Sequence, residues 1–178
     1  LPVAELERLI HPVGFFRQKA KHLSLLPGVL AERFGGAVPR DLDALLTLPG
    51  VGRKTANLVL AVAFREPAIC VDTHVHRIMN IWGYVRTTTP LETEMALRAK
   101  LPQPYWIRIN ALLVAFGQGT CKPHRPHCDR CVIAAQCPRI GVVPRRVPKE
   151  VSRMEQAAEA MKFVSWNVNG LRAALKNG

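Results

Sequence analysis

Apolar residues recur at three- and four-residue intervals along most of the chain, a spacing that predicts helices separated by short breaks. Asp41 stands ahead of Leu42, Leu45 and Leu46, so a short capped helix is expected there. Leu48-Pro49-Gly50-Val51-Gly52 interrupts it, and a second helix follows with Ala56, Val59, Leu60 and Ala63 on one stripe. Asp72 precedes Val75, Ile78, Met79 and Trp82, again at helical spacing behind a capping acid. Thr89-Pro90-Leu91-Glu92 reads as a capping box with proline at the first helical position. Tyr105, Ile109, Leu112, Leu113 and Phe116 mark one more amphipathic helix. Pro27-Gly28 falls inside an otherwise helical stretch, where the proline ring would clash near Leu23, and a kink or break is expected. No period-two alternation competes before residue 160, so the expected fold class is all-α. Gly141–Val151, with Pro144, Pro148 and three basic residues, has linker composition, and Lys162–Gly170 is β-like. One strand cannot fold alone.

Charge narrows the partner. The formal net charge is +12 and the pI about 10.2. Cys121 to Arg153 holds eight Lys/Arg against two acids. That surplus points to a polyanion, and to nucleic acid before membrane, because no basic helix carries a bulky apolar face. The longest apolar run, Leu58–Phe64, is too short to span a bilayer, and no signal peptide is visible. Four of the five cysteines crowd into Cys121–Cys137, a ligand cluster more than a disulfide framework, which fits a reducing, cytoplasmic setting.

Three constellations carry chemistry. In Leu48–Gly52, glycines two apart can take backbone angles closed to other residues and let a phosphate approach the main chain. The helix beyond presents unpaired N–H groups and partial positive charge, with Arg53, Lys54 and Thr55 at the same end. Read alone, the segment is equally an interhelical turn. A cation in a first helical turn is misplaced by about 0.3–1 kcal/mol. Together with Arg53 and partial burial, this is expected to lower the Lys54 amine pKa and favour the neutral nucleophile, although a phosphate-binding lysine fits the same position. Asp72 by itself is a helix cap. His74 and His76 are expected to support structure, and Cys70 to pack in the core. Cys121, Cys128, Cys131 and Cys137 give C-x6-C-x2-C-x5-C. Thiolates bind zinc or iron–sulfur clusters, and one C-x2-C pair does not choose between them.

Leu48–Ala56, Val71–Arg77 and the 6-2-5 cysteine spacing together resemble the endonuclease III family of helix-hairpin-helix, iron–sulfur DNA glycosylase/AP lyases, over about Leu1 to Val143. The resemblance implies a partial helical barrel lobe over residues 1–66, with the hairpin, and a 4Fe–4S lobe over residues 67–140, with DNA across the cleft. A linker over residues 141–160 and a tail over residues 161–178 would follow. It puts Lys54 on the family's nucleophile and Asp72 on its catalytic carboxylate. Leu48, Pro49, Gly50, Val51, Gly52, Arg53 and Thr55 would hold the DNA backbone, as would Lys122, Arg125 and Arg130 between the cysteines. Cys121, Cys128, Cys131 and Cys137 would ligate a 4Fe–4S cluster of structural role. The implied function is base excision repair as a monomer, near the nucleoid. Oxidised pyrimidines would be removed from double-stranded DNA and abasic sites cut by β-elimination. The adenine-removing relatives share the hairpin, aspartate and cluster but use no catalytic lysine, so Lys54 argues against a monofunctional enzyme. A non-catalytic DNA-binding fragment is the other alternative. The family's opening helices do not precede Leu1, and Met161–Leu171 resembles the opening strand of an exonuclease III-type AP endonuclease, with Asn167 on its active-site asparagine. The chain is therefore expected to be a piece of a longer repair protein, with weak or no lyase activity alone.

Overall fold

The computed structural model describes residues 1–143, which divide into two units, the first Leu1–Ala68 and the second from Ile69 on. Among the described residues every regular element is helical. The β-like tail, its exonuclease III-like resemblance and all but the first three residues of the expected linker lie outside them. No helix among the described residues is long and apolar enough to cross a membrane.

The first unit contains α1 (Val3–Ile10), α2 (Phe16–Phe34), α3 (Leu42–Leu46) and α4 (Arg53–Leu58). Asp41 caps α3 as its position predicts, Oδ1 accepting from the Ala44 N–H at 2.8 Å. Leu45, Leu48, Ala56, Leu60, Ala61 and Ala68 form the core, against which Leu26, Val29, Leu30 and Phe34 of α2 pack. Two expectations are corrected here. The break expected at Pro27 does not occur: helix α2 continues through it, although the proline removes one intrahelical hydrogen bond. The packing of α2 residues on both sides of Pro27 holds the helix together across it. Second, the helix begun by α4 widens into a π-helix over Val59–Ala63. A wider turn rotates the apolar stripe, so Ala61 is buried and Ala63 exposed, the reverse of α-helical spacing.

The second unit contains α5 (Thr73–Ile81), α6 (Pro90–Lys100) and α7 (Trp106–Gly119), with 3₁₀ turns at Gln103–Tyr105 and Cys128–Arg130. Val75, Ile78 and Met79 of α5 meet Ile109 and Leu113 of α7 in its core, as the periodicity predicts. Burying each such side chain contributes about 1.5–3 kcal/mol. Helices α5 and α7 pack closely because Gly117 has no Cβ: one placed there would run into the His74 ring. The expected capping box extends to Thr88. Thr89 Oγ1 accepts from the Glu92 N–H at 3.2 Å, and the Glu92 carboxylate accepts from the Thr88 N–H at 2.8 Å. That bond and the Thr88 hydroxyl hold the Glu92 carboxyl below its ordinary pKa.

Candidate functional site

The hairpin is built from α3, the turn Thr47–Gly52 and α4. Leu48 is buried in the core, so its side chain anchors the turn and only its backbone is left for a ligand. Its carbonyl accepts from the Val51 N–H at 3.1 Å and closes the turn. The two glycines do different work. Gly50 has φ +74°, and a Cβ there would come within 2.6 Å of His22 Nδ1. Gly52 has φ −95°, an extended conformation open to any residue, and a Cβ there would meet nothing within 4 Å.

Only Gly50 is therefore required by backbone geometry. Gly50→Ala is expected to destabilise the unit by about 1–2 kcal/mol from the left-handed conformation alone, with the His22 contact adding to it. Gly52→Ala should leave stability nearly unchanged, and thermal unfolding of the pair measures the difference.

Gly52 caps α4 without a side chain, so the helix itself supplies no acceptor for the N–H groups of its first turn, Arg53, Lys54 and Thr55 included. Lys54 and Thr55 are exposed and Arg53 half-buried. The partial burial expected of Lys54 is absent: its side chain is exposed. Asp72 lies in the other unit, where it caps α5: Oδ1 accepts from the Val75 N–H at 2.9 Å. His76 Nδ1 and Thr93 Oγ1 share a hydrogen bond at 2.7 Å, and His74 packs on Gly117, so both histidines serve the structure. Cys70 is buried.

Cys121, Cys128, Cys131 and Cys137 all line one small, apolar cavity, together with Trp82 and Phe116. Burial pushes the thiols of Cys121, Cys128 and Cys131 up, opposed at Cys121 by the Arg77 guanidinium and at Cys128 by that of Arg139. Arg77 Nη1 lies 3.7 Å from Cys121 Sγ, and Nη2 donates to the Cys121 carbonyl. Among the described residues no three His, Cys, Asp or Glu side chains converge as ligands of one ion would. A 4Fe–4S cluster instead takes one thiolate per iron, so its ligands ring a cavity, and two nearby arginines offset thiolate charge. The donor set fits that group. Lys122 and Arg125 are exposed on the loop between Cys121 and Cys128, Arg125 with φ +50°. Arg130 is exposed within the Cys128–Arg130 turn.

Helical periodicity singles out nothing in the turn before α2, yet Phe15 there is 84% exposed and holds φ +59°. A bulky residue in that conformation is a genuine outlier. The one signal the sequence offers is the Phe15-Phe16 pair, of which Phe16 stacks edge-on with His11.

One helical unit presents a Leu-Pro-Gly-Val-Gly hairpin between two helices, the arrangement of a helix-hairpin-helix protein, and the other gathers four thiols around one cavity. The chain belongs to the HhH-GPD superfamily of base excision DNA repair proteins, whose family model matches residues 1–103. It is 50% identical over 133 residues to endonuclease III of Thermotoga maritima, covering 75% of this chain and 62% of that protein. To endonuclease III of Bacillus subtilis it is 44% identical over 138 residues, covering 77% and 63%. The chain thus spans less than two thirds of these relatives. It is also similar to a trapped endonuclease III–DNA covalent intermediate in an estranged-adenine complex, with TM-score 0.73 and 41% identity, covering 78% of this chain and 66% of that one. A non-covalent endonuclease III–DNA complex gives TM-score 0.73 and 40% identity, covering 78% and 65%.

Proposed function

We propose that this chain carries the base-excision activity of an endonuclease III: removal of oxidised pyrimidines from double-stranded DNA and cleavage at the abasic site. The observation that carries the reading is Lys54, exposed in the first turn of the hairpin helix. The similarity to an endonuclease III trapped covalently on DNA supports it. The damaged nucleotide is flipped out of the duplex, because its sugar carbon is otherwise out of reach. The Lys54 amine attacks C1′, the C1′–N bond to the base breaks, and the base leaves with a proton. Ring opening gives a Schiff base on Lys54. Loss of a C2′ proton then expels the 3′ phosphate and cuts the strand. Asp72 stabilises the positive charge developing on the sugar and assists Lys54. Residues 1–66 act as the hairpin-bearing lobe and residues 67–140 as the cluster lobe. Cys121, Cys128, Cys131 and Cys137 would hold a 4Fe–4S cluster, which keeps the loop carrying Lys122, Arg125 and Arg130 in shape against the backbone. Borohydride reduction on abasic DNA, with the chain extended by the family's opening helices, tests the reading: a covalent protein–DNA adduct is expected, and its absence would reject lyase chemistry.

Hairpin binding is tested separately. Gly52→Asp meets no steric obstacle, so it should fold normally while placing a carboxylate against the phosphate. Affinity should fall for all sequences alike, since phosphate contacts position without reading bases. The exposed Phe15 offers an aromatic wedge for the stack the flipped nucleotide leaves. Phe15→Ala should weaken binding to an abasic duplex by about 1–3 kcal/mol, the worth of one base–aromatic stack, and undamaged duplex less. Fluorescence anisotropy on the two duplexes reads the difference.

A further inference from the structure

One concavity of the second unit, bordered by the cysteine loop, has no role in the reading so far. It is a groove of about 1550 Å³. One wall is the segment Val85–Thr88, which carries Arg86. Lys122–Pro126, which carries Lys122 and Arg125, lines it as well, as do Arg77 and Asn80 of α5. Among the described residues no Asp or Glu lines it. Glu92 meets the Val85–Thr88 wall at Thr88, where the N–H at 2.8 Å and the hydroxyl at 2.9 Å bind its carboxylate. Arg86, Lys122 and Arg125 are exposed, and none forms an ion pair among the described residues. Like charges gathered around a concavity raise its potential and concentrate anions in it.

Both walls are fixed in place. The Thr87 N–H donates to Asn80 Oδ1 at 2.8 Å, and Thr87 and Thr93 share a hydrogen bond between hydroxyls at 2.6 Å. Thr93 in turn bonds His76, so the Arg86 wall is tied to α5 and α6. Beside Lys122–Pro126, Arg77 donates to the Cys121 carbonyl, and the His127 N–H donates to the Thr120 carbonyl at 2.9 Å. The cations therefore sit on held loops, and less entropy is lost when an anion binds them.

We infer that this groove holds a length of sugar–phosphate backbone, with Arg86 binding a phosphate in addition to those met by Lys122 and Arg125. The inference rests on the reading that the chain binds DNA, and it adds a contact outside both the hairpin and the cysteine loop. Nucleic acid is favoured over an acidic protein because the Lys122–Pro126 wall is the loop already read as facing the DNA backbone.

Salt titration of the full chain on a labelled undamaged duplex tests it, with Arg86→Gln, Arg86→Lys and Gly52→Asp compared. Arg86→Gln should lower affinity about tenfold and reduce the log–log salt slope by about 0.9, the value for one phosphate released. Arg86→Lys should restore the slope. Because Arg86 is exposed and unpaired, helix content and thermal midpoint should not change. An unchanged slope in Arg86→Gln, with Gly52→Asp weakened, overturns the groove and leaves the DNA reading standing. If neither variant weakens binding, both fail. If Arg86→Gln weakens binding of a poly-glutamate peptide but not of duplex, the groove belongs to an acidic protein and the inference is overturned.

Discussion

Lys54→Gln is expected to abolish the borohydride-trapped adduct on abasic DNA while leaving duplex affinity largely intact. Glutamine keeps much of the length and the polarity of the side chain but has no amine to form a Schiff base. At most one phosphate contact goes with the charge, so the salt slope should change by no more than about 0.9. Lys54 is exposed, and its loss opens no cavity, so the thermal midpoint should hold. Asp72→Asn should act differently. It preserves an oxygen that can accept from the Val75 N–H, so the cap on α5 survives. What it removes is a negative charge, and base removal should slow by roughly 10²–10³-fold, as when a group stabilising transition-state charge is lost. Single-turnover assays separate the two steps. A normal adduct yield from Lys54→Gln would remove this lysine from the mechanism.

Cys128→Ser is expected to lose the bound iron, whereas Cys70→Ser should keep it. Cys128 lines the thiol cavity together with Cys121, Cys131 and Cys137, while Cys70 is buried elsewhere and is not part of that wall. Chain purified anaerobically should be yellow-brown, with about four irons and four sulfides, as four thiolate ligands require. Burial holds three of the thiols in the protonated form, so binding the cluster must displace those protons. Removing iron with a chelator should therefore loosen the Cys121–Cys137 loop and lower the thermal midpoint of the second unit. Protection of the Lys122–Arg125 backbone from proteolysis should fall with it. Colourless protein holding one tightly bound zinc would overturn the cluster assignment.

How legible the protein is in its sequence depends on how local each cause is. Asp41 and Asp72 cap their helices where their positions say they should, because a carboxylate three residues ahead of an N–H needs nothing but the chain itself. Val75, Ile78 and Met79 are buried together because helical period alone puts them on one face. The hairpin and the cysteine spacing are likewise readable, since chemistry fixes residue type and interval over short stretches.

What the sequence leaves open turns on neighbours far along the chain. That α2 continues through Pro27 depends on residues on both sides of it packing on a core supplied by α3 and α4. Gly50 and Gly52 look alike in sequence, but only the turn geometry and the approach of His22 make one of them irreplaceable. The π-helix at Val59–Ala63 shifts the buried stripe by an amount that no α-helical period could anticipate. Glu92 reaches Thr88 beyond its expected partner Thr89, where the segment before α6 is held by Asn80 and Thr93. The basic groove is the clearest case. Arg86 and Lys122 stand 36 positions apart in sequence, and nothing local relates them. Composition determined that the chain is cationic; only the packing of α5 and its neighbouring loops decided that these cations line one cavity with no acid among its described lining residues.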